Sequence, residues 1–212
     1  SSSSAIVQCS ALTQASQWSR RAADATASSR LLECVAMATP APLRIALIGC
    51  GRIAHSHARA IAALPEVGCI TTVADADPAQ AAAFAAQWGA PSVSADLAAA
   101  LARPDVDAAL LCTPNALHAA QAIEALEAGR HVLVEKPMAE TVADAERMAE
   151  AARRSGRVLV LGQTMRHTAP IRWLQDHRGD FGRLRAVEVS MCVRWNGPQA
   201  PWWRSRTREQ GL

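Results

Sequence analysis

From Leu43 onward, short apolar runs alternate with longer stretches of helical periodicity. Residues 43–48 form a β-branched, apolar run of the kind that makes a buried strand, and the sequence to about Leu64 reads as a helix ended by Pro65. Residues 69–74 repeat the strand pattern. Asp77-Pro78 then places an N-cap before a proline at the first helical position, and that helix runs to about Trp88, with Gly89 as its stop. Residues 92–94 are read as a short third strand, and Asp96 as the cap of a short helix. Residues 107–112, 131–134 and 158–162 supply a fourth, fifth and sixth strand. Between them lie helices over 115–128, closed by Gly129, and 141–155, closed by Gly156. Strands and helices alternating at this spacing predict βαβ units and a mainly parallel, doubly wound α/β sheet.

Beyond Gly162 the rhythm changes. Residues 170–177 read as a helix, and 184–193 alternate like a strand with one wet face. A lone strand cannot bury its apolar side. Residues 163–212 are therefore expected to be the truncated start of an α+β second domain that follows the unit at 37–162. At the other end, residues 1–36 are rich in Ser and Ala, with little periodicity and no continuous apolar core of a secretory signal. Arg20, Arg21 and Arg30 among few acids give them a faint likeness to an organelle transit peptide. The preferred reading is upstream translated sequence or a disordered leader, with Met37 standing where a start would.

Composition narrows the function classes. In the 212 residues, hydrophobic side chains make up 50% and charged ones 19%, a globular balance. No apolar run reaches the roughly 18 residues that cross a bilayer, so no membrane association is expected. The net charge of +3 is spread without a basic face, which argues against nucleic acid. The six cysteines, Cys9, Cys34, Cys50, Cys69, Cys112 and Cys192, form no C-x-x-C pair. They predict free, buried thiols in a reducing, cytoplasmic setting, and neither zinc nor a disulfide framework.

The first predicted strand ends in Gly49-Cys50-Gly51-Arg52-Ile53-Ala54, a G-x-G-x-x-A. Gly49 permits the tight turn, Gly51 lets a pyrophosphate approach the backbone, and Ala54 lets the helix pack on the sheet. The helix start, with Arg52 and Ile53, offers N–H groups and a positive dipole end. Asp75 closes the second strand about two dozen residues on, where a carboxylate accepts from the adenosine ribose. A methyltransferase also uses such a loop and acid, but the later motifs do not suit it. Ala76 and Asp77 follow with no Arg or Lys nearby, which favours NAD over NADP; Asp77 itself reads as a helix cap.

Two further motifs end strands on the same side: Thr113-Pro114-Asn115 with His118 one turn on, and Glu135-Lys136-Pro137. Of the 22 basic side chains, Lys136 is the single lysine. Arg replaces Lys at most surface sites but cannot act as a compact, titratable ammonium, so a lysine kept in so arginine-rich a chain points to chemistry. His118 is open to a second reading as a packing or capping residue. His55 and His57, two apart on a helix, face different sides, which argues against a metal pair. Trp202 and Trp203 suit a sugar pocket or a domain interface equally.

The stretches 45–54, 113–118 and 128–137 together resemble the Gfo/Idh/MocA family, named for glucose–fructose oxidoreductase and inositol dehydrogenase, over about residues 43–210. The resemblance implies a Rossmann-type cofactor domain and a substrate domain in an NAD(P)-dependent oxidoreductase acting on a sugar, cyclitol or related polyol. It places Glu135 and Lys136 at the junction of cofactor and substrate, with Lys136 orienting substrate and tuning proton transfer. Gly49, Gly51, Arg52, Ile53, Asp75, Thr113, Asn115 and His118 are the remaining expected cofactor residues. Arg166 resembles the arginine after the sixth strand and is the expected substrate contact, although His167 stands where an aromatic is usual. The family's second-domain histidine acid/base would fall beyond Leu212, so the chain as it stands is expected to be an inactive part of a homo-oligomeric enzyme. The alternative is an NAD-binding sensor or scaffold without turnover.

Overall fold

The computed structural model describes residues 41–183, 185–188 and 190. Five parallel strands form one sheet in the order β2-β1-β3-β4-β5: β1 (Leu43–Ile48), β2 (Gly68–Ala74), β3 (Ala108–Leu111), β4 (His131–Val134) and β5 (Leu159–Leu161). Helices α1 (Arg52–Ala62), α2 (Pro78–Trp88), α3 (Leu97–Leu101), α4 (Asn115–Glu127) and α5 (Val142–Ser155) make the crossovers.

The predicted third strand at 92–94 is reduced to one parallel bridge, Val93 to Val73, on the outer edge of β2. The Val73 N–H donates to the Ser92 carbonyl and the Ser94 N–H to that of Val73, after which the chain turns away to the Asp96 cap. Counting that bridge, the spatial order is 3-2-1-4-5-6, the arrangement of dinucleotide-binding sheets.

Alternation along the central strands sorts the core into two layers. Leu47 and Leu110 face Ala54, Ala58, Ala81 and Phe84 of α1 and α2; Ala46, Ile48, Ala109 and Leu111 face Leu101, Ala122, Leu126 and Met148 of α3, α4 and α5. Alanine at so many inward positions lets the helices lie close on the sheet. The ends follow local chemistry: Asp77 accepts from the N–H groups of Ala79 and Gln80, and Asp96 from that of Ala99. Gly89 and Gly156 close α2 and α5 in the left-handed conformation.

After β5 come a 3-10 turn (Thr164–His167), α6 (Ala169–Asp176) and a second 3-10 turn (Arg178–Phe181). Trp173 stacks on His177 and meets Phe181 edge-on, and both Trp173 and Phe181 stay exposed. Of the strand predicted over 184–193, residues 185–188 and 190 carry no regular structure: no neighbouring strand among the described residues supplies the ladder it would need. Its other positions, the leader at 1–36, Met37, Cys9, Cys34, Cys192, Trp202 and Trp203 lie outside the described residues.

Candidate functional site

The chain winds from β1 outward to β2, then returns past β1 to β3. The crevice beyond the carboxyl ends of β1 and β3 is the switch point where ligands of such sheets bind. Gly49 sits there with φ +88°, a conformation that L side chains rarely adopt, and its N–H donates to the Ala74 carbonyl at 2.8 Å. A Cβ at Gly51 would meet nothing within 4 Å, so open space lies before the start of α1. The N–H groups of Gly51, Arg52 and Ile53 belong to the unpaired first turn of that helix. No carboxylate stands in that turn, and Arg52 and Ile53 are exposed. Anion-accepting amides and the positive dipole end face one open volume.

Asp75, at the end of β2, is tied to this loop. Its Oδ2 accepts from the Cys50 N–H at 2.6 Å and from the Gln80 side-chain amide at 3.0 Å; its Oδ1 accepts from the Asp77 N–H at 2.9 Å. The carboxylate is thus fixed beside the glycine turn, as the spacing in the sequence predicts. The role of Gln80 has no signature in sequence. Open space at Gly51, free helix amides and a fixed carboxylate at the end of β2 fit a dinucleotide.

The Glu-Lys-Pro segment follows β4. Lys136 is exposed there, and the Lys136–Pro137 peptide is cis. Glu135 is buried, 7% exposed, and its Oε1 lies 2.7 Å from Nε2 of His57 on α1. Its Oε2 accepts the Lys136 N–H at 3.1 Å. The family resemblance puts Glu135 at the junction of cofactor and substrate; the structure sets its carboxylate, mostly buried, between the His57 ring and the Lys136 N–H. The pair joins residues 78 apart, which explains why the sequence pattern misses it. His55 turns the other way, accepting from the Trp88 indole N–H at 2.9 Å and packing on Phe84, as a two-residue spacing on a helix requires.

Thr113 and Asn115 flank the crevice at the end of β3, both partly buried, with the Thr113 hydroxyl donating to Gln121 at 2.6 Å. His118 is corrected from cofactor contact to packing. It is 0% exposed, with Nδ1 2.8 Å from the Pro137 carbonyl oxygen and Nε2 2.9 Å from that of Thr113. It bridges the two strand-end loops from beneath. Arg166 lies apart from the glycine loop, on the first 3-10 turn, lining an open groove of about 690 Å³ with Leu159, Leu161, Gln163 and Arg172.

Among the described residues, no group of three His, Cys, Asp or Glu side chains is placed to hold a metal ion, and no helix is long and apolar enough to cross a membrane. Cys50 and Cys112 are buried as expected, and burial pushes each thiol up to about 12; Cys69 departs from that expectation and is exposed.

Known proteins share this fold and part of this sequence. The chain is 42% identical over 124 residues to the 4-carboxy-2-hydroxymuconate-6-semialdehyde dehydrogenase of Sphingobium, a match covering 58% of this chain and 39% of the relative. The fold superposes on the WlbA dehydrogenase of Bordetella pertussis, solved with NADH and UDP-GlcNAcA, with a TM-score of 0.64 and 37% identity, covering 68% of this chain and 42% of that one. It also superposes on a point mutant of KijD10, a 3-ketoreductase of Actinomadura kijaniata solved with TDP-benzene and NADP. Here the TM-score is 0.60 and the identity 34%, over 66% of this chain and 42% of that one. The chain thus spans about two fifths of the length of these relatives. The profile of the oxidoreductase family with an NAD-binding Rossmann fold matches residues 43–163. With loop, acid and strand-end motifs in place, the chain belongs to the Gfo/Idh/MocA oxidoreductase family.

Proposed function

We propose that this chain holds NAD(H) at the carboxyl end of its sheet and serves an enzyme that exchanges hydride with a sugar, cyclitol or related polyol. The observation that carries the reading is the open space at Gly51, bounded by the first-turn amides of α1 and flanked by the fixed carboxylate of Asp75. The N–H groups of Gly51, Arg52 and Ile53 hold the pyrophosphate. Asp75 takes the adenosine ribose hydroxyls. With Asp77 two residues on and no cation between them, it opposes a 2′-phosphate, which supports NAD over NADP. One relative carries NADH and another NADP, so the residues at the end of β2, not family membership, support the choice. Thr113 and Asn115 line the middle of the cofactor cleft from the end of β3.

The bound dinucleotide supplies the hydride acceptor or donor. Lys136 lies exposed at the end of β4, where its ammonium can donate a hydrogen bond to the reacting oxygen of the substrate and stabilise negative charge that develops on it. Arg166, in its separate groove, is the proposed contact to a more distant part of the substrate. The sugar nucleotide bound by one relative and the semialdehyde in the name of another support an oxygen-rich substrate bearing a carbonyl or hydroxyl at the reacting carbon.

Titration of NAD and NADP into the protein, followed by absorbance at 340 nm with cyclitols, free sugars and nucleotide sugars, tests the reading. NAD should bind more tightly, and in a complete, active enzyme carrying this domain Lys136→Met should lower turnover by roughly 10²-fold, the scale of acid–base participation. Tighter NADP binding, or turnover indifferent to Lys136, would refute it.

A further inference from the structure

We infer that His57 is a positioning residue that locks the helix bearing the cofactor phosphates to the peptide bearing Lys136. This rests on the proposed cofactor site. Ala54 and Ala58 bury one face of α1 against the sheet, and His57, between them, points past the sheet's carboxyl end to Glu135. The pair is close and sheltered: 2.7 Å, with side-chain exposures of 18% and 9%. The Glu135 carboxylate is boxed from a third direction, since a Cβ at Gly162, just beyond β5, would stand 3.1 Å from Oε1. With one oxygen on His57 and the other on the Lys136 N–H, the carboxylate fixes the backbone from which the lysine projects. His118 holds the next carbonyl, that of Pro137. Two histidines from two helices therefore clasp the tripeptide on either side of Lys136 and leave its ammonium exposed.

The arrangement transmits position. A helix is stiff along its axis, so phosphates seated on the first turn of α1 and the imidazole one turn further along move together. Through Glu135 the lysine inherits that register, and a shift of about 1 Å at a reacting group is enough to cost rate.

Because Lys136 is the only lysine, amine-directed acylation labels it and the α-amino group alone, and peptide mass mapping separates the two. In the unaltered protein, saturating NAD should slow Lys136 acylation about five-fold or more, as expected of a group held against a bound ligand. His57→Ala should still bind NAD, within about three-fold, yet lose most of that protection. His57→Gln, whose amide reaches Glu135, should restore it. If the alanine variant does not fold, His57→Asn, one methylene too short, takes its place beside His57→Gln. Protection retained without a donor at residue 57, or unrestored by glutamine, overturns the inference. Failure of the unaltered protein to bind NAD would instead overturn the cofactor reading on which it stands.

Discussion

The Cβ that Gly49 lacks would stand 2.8 Å from the carbonyl carbon of Cys112, so the ends of β1 and β3 meet backbone against backbone. Gly49→Ala meets that contact and a φ of +88° together, and no rotamer relieves either. A loss of roughly 3 kcal/mol or more is expected, measured as a lower urea midpoint with an unchanged slope.

Gly51→Ala should behave in the opposite way. Its φ of −75° is open to any residue, and the added methyl touches no protein atom. Stability should stay within about 0.5 kcal/mol or rise slightly, while NAD affinity should fall about ten-fold or more as the methyl enters the pyrophosphate space. Isothermal titration beside thermal melting separates the two effects.

Asp75→Ala removes an acceptor from the ribose and a charge that opposes a 2′-phosphate. NAD affinity should drop by about ten-fold, the scale of one lost charge-assisted hydrogen bond, and NADP affinity should drop less or rise. Parallel titrations of both cofactors give the ratio directly.

Arg44 and Asp107 lock the amino ends of β1 and β3. The guanidinium donates to both carboxylate oxygens, at 2.9 and 2.7 Å, and the Arg44 N–H adds a third bond at 3.0 Å. The Arg44 side-chain hydrogen bonds, chiefly, hold the Asp107 carboxyl at about 2 against an ordinary 3.8. The folded state thus favours the ionised form. Its stabilisation is complete above about pH 4 and is lost as pH falls from 3.8 toward 2. With a third of the carboxylate side chain exposed, screening leaves about 1 kcal/mol at neutral pH. Asp107→Asn should be less stable by that amount at pH 7 and indistinguishable near pH 2, in urea titrations across the range.

Thiol alkylation should divide the described cysteines. Cys50 and Cys112 are sheltered, and their thiols, raised to about 12 first by desolvation, hold almost no thiolate at pH 8. Iodoacetamide on the folded protein, read by peptide mass spectrometry, should modify Cys69 and leave those two intact until denaturant is added.

Local chemistry makes much of this fold readable. The caps at Asp77 and Asp96 and the stops at Gly89 and Gly156 act within a few residues of themselves, so a sequence window contains both partners. The glycine loop and Asp75 are readable because a turn, a helix start and a strand end recur at fixed spacing. His57 and Glu135 are not: their contact depends on the angle at which α1 crosses the sheet, which no window contains. His118 shows the same limit from the other side. Its place near a strand end suggests ligand contact, but only the packed structure sets both ring nitrogens against carbonyls with no solvent access. The strand at 92–94 has the composition of a strand but finds just one residue of β2 to pair with.

The order of pairing in the sheet also bears on how the chain must assemble. Leu43 pairs with Gly68, Ala108 with His131 and Val132 with Leu159, each across a whole crossover, and Ile45 reaches further still, to Ala108. Among the described residues no hairpin closes any ladder. Every pairing needs a long crossover closed first, a topology of high contact order for which slow folding is expected. During synthesis β1 emerges before β3 and cannot gain its second neighbour until residue 111 is out. Until then its apolar edge lacks that partner, the kind of exposed edge that favours aggregation, and substitutions that weaken the β1–β3 junction at Gly49 should lower soluble yield more than equilibrium stability alone would dictate.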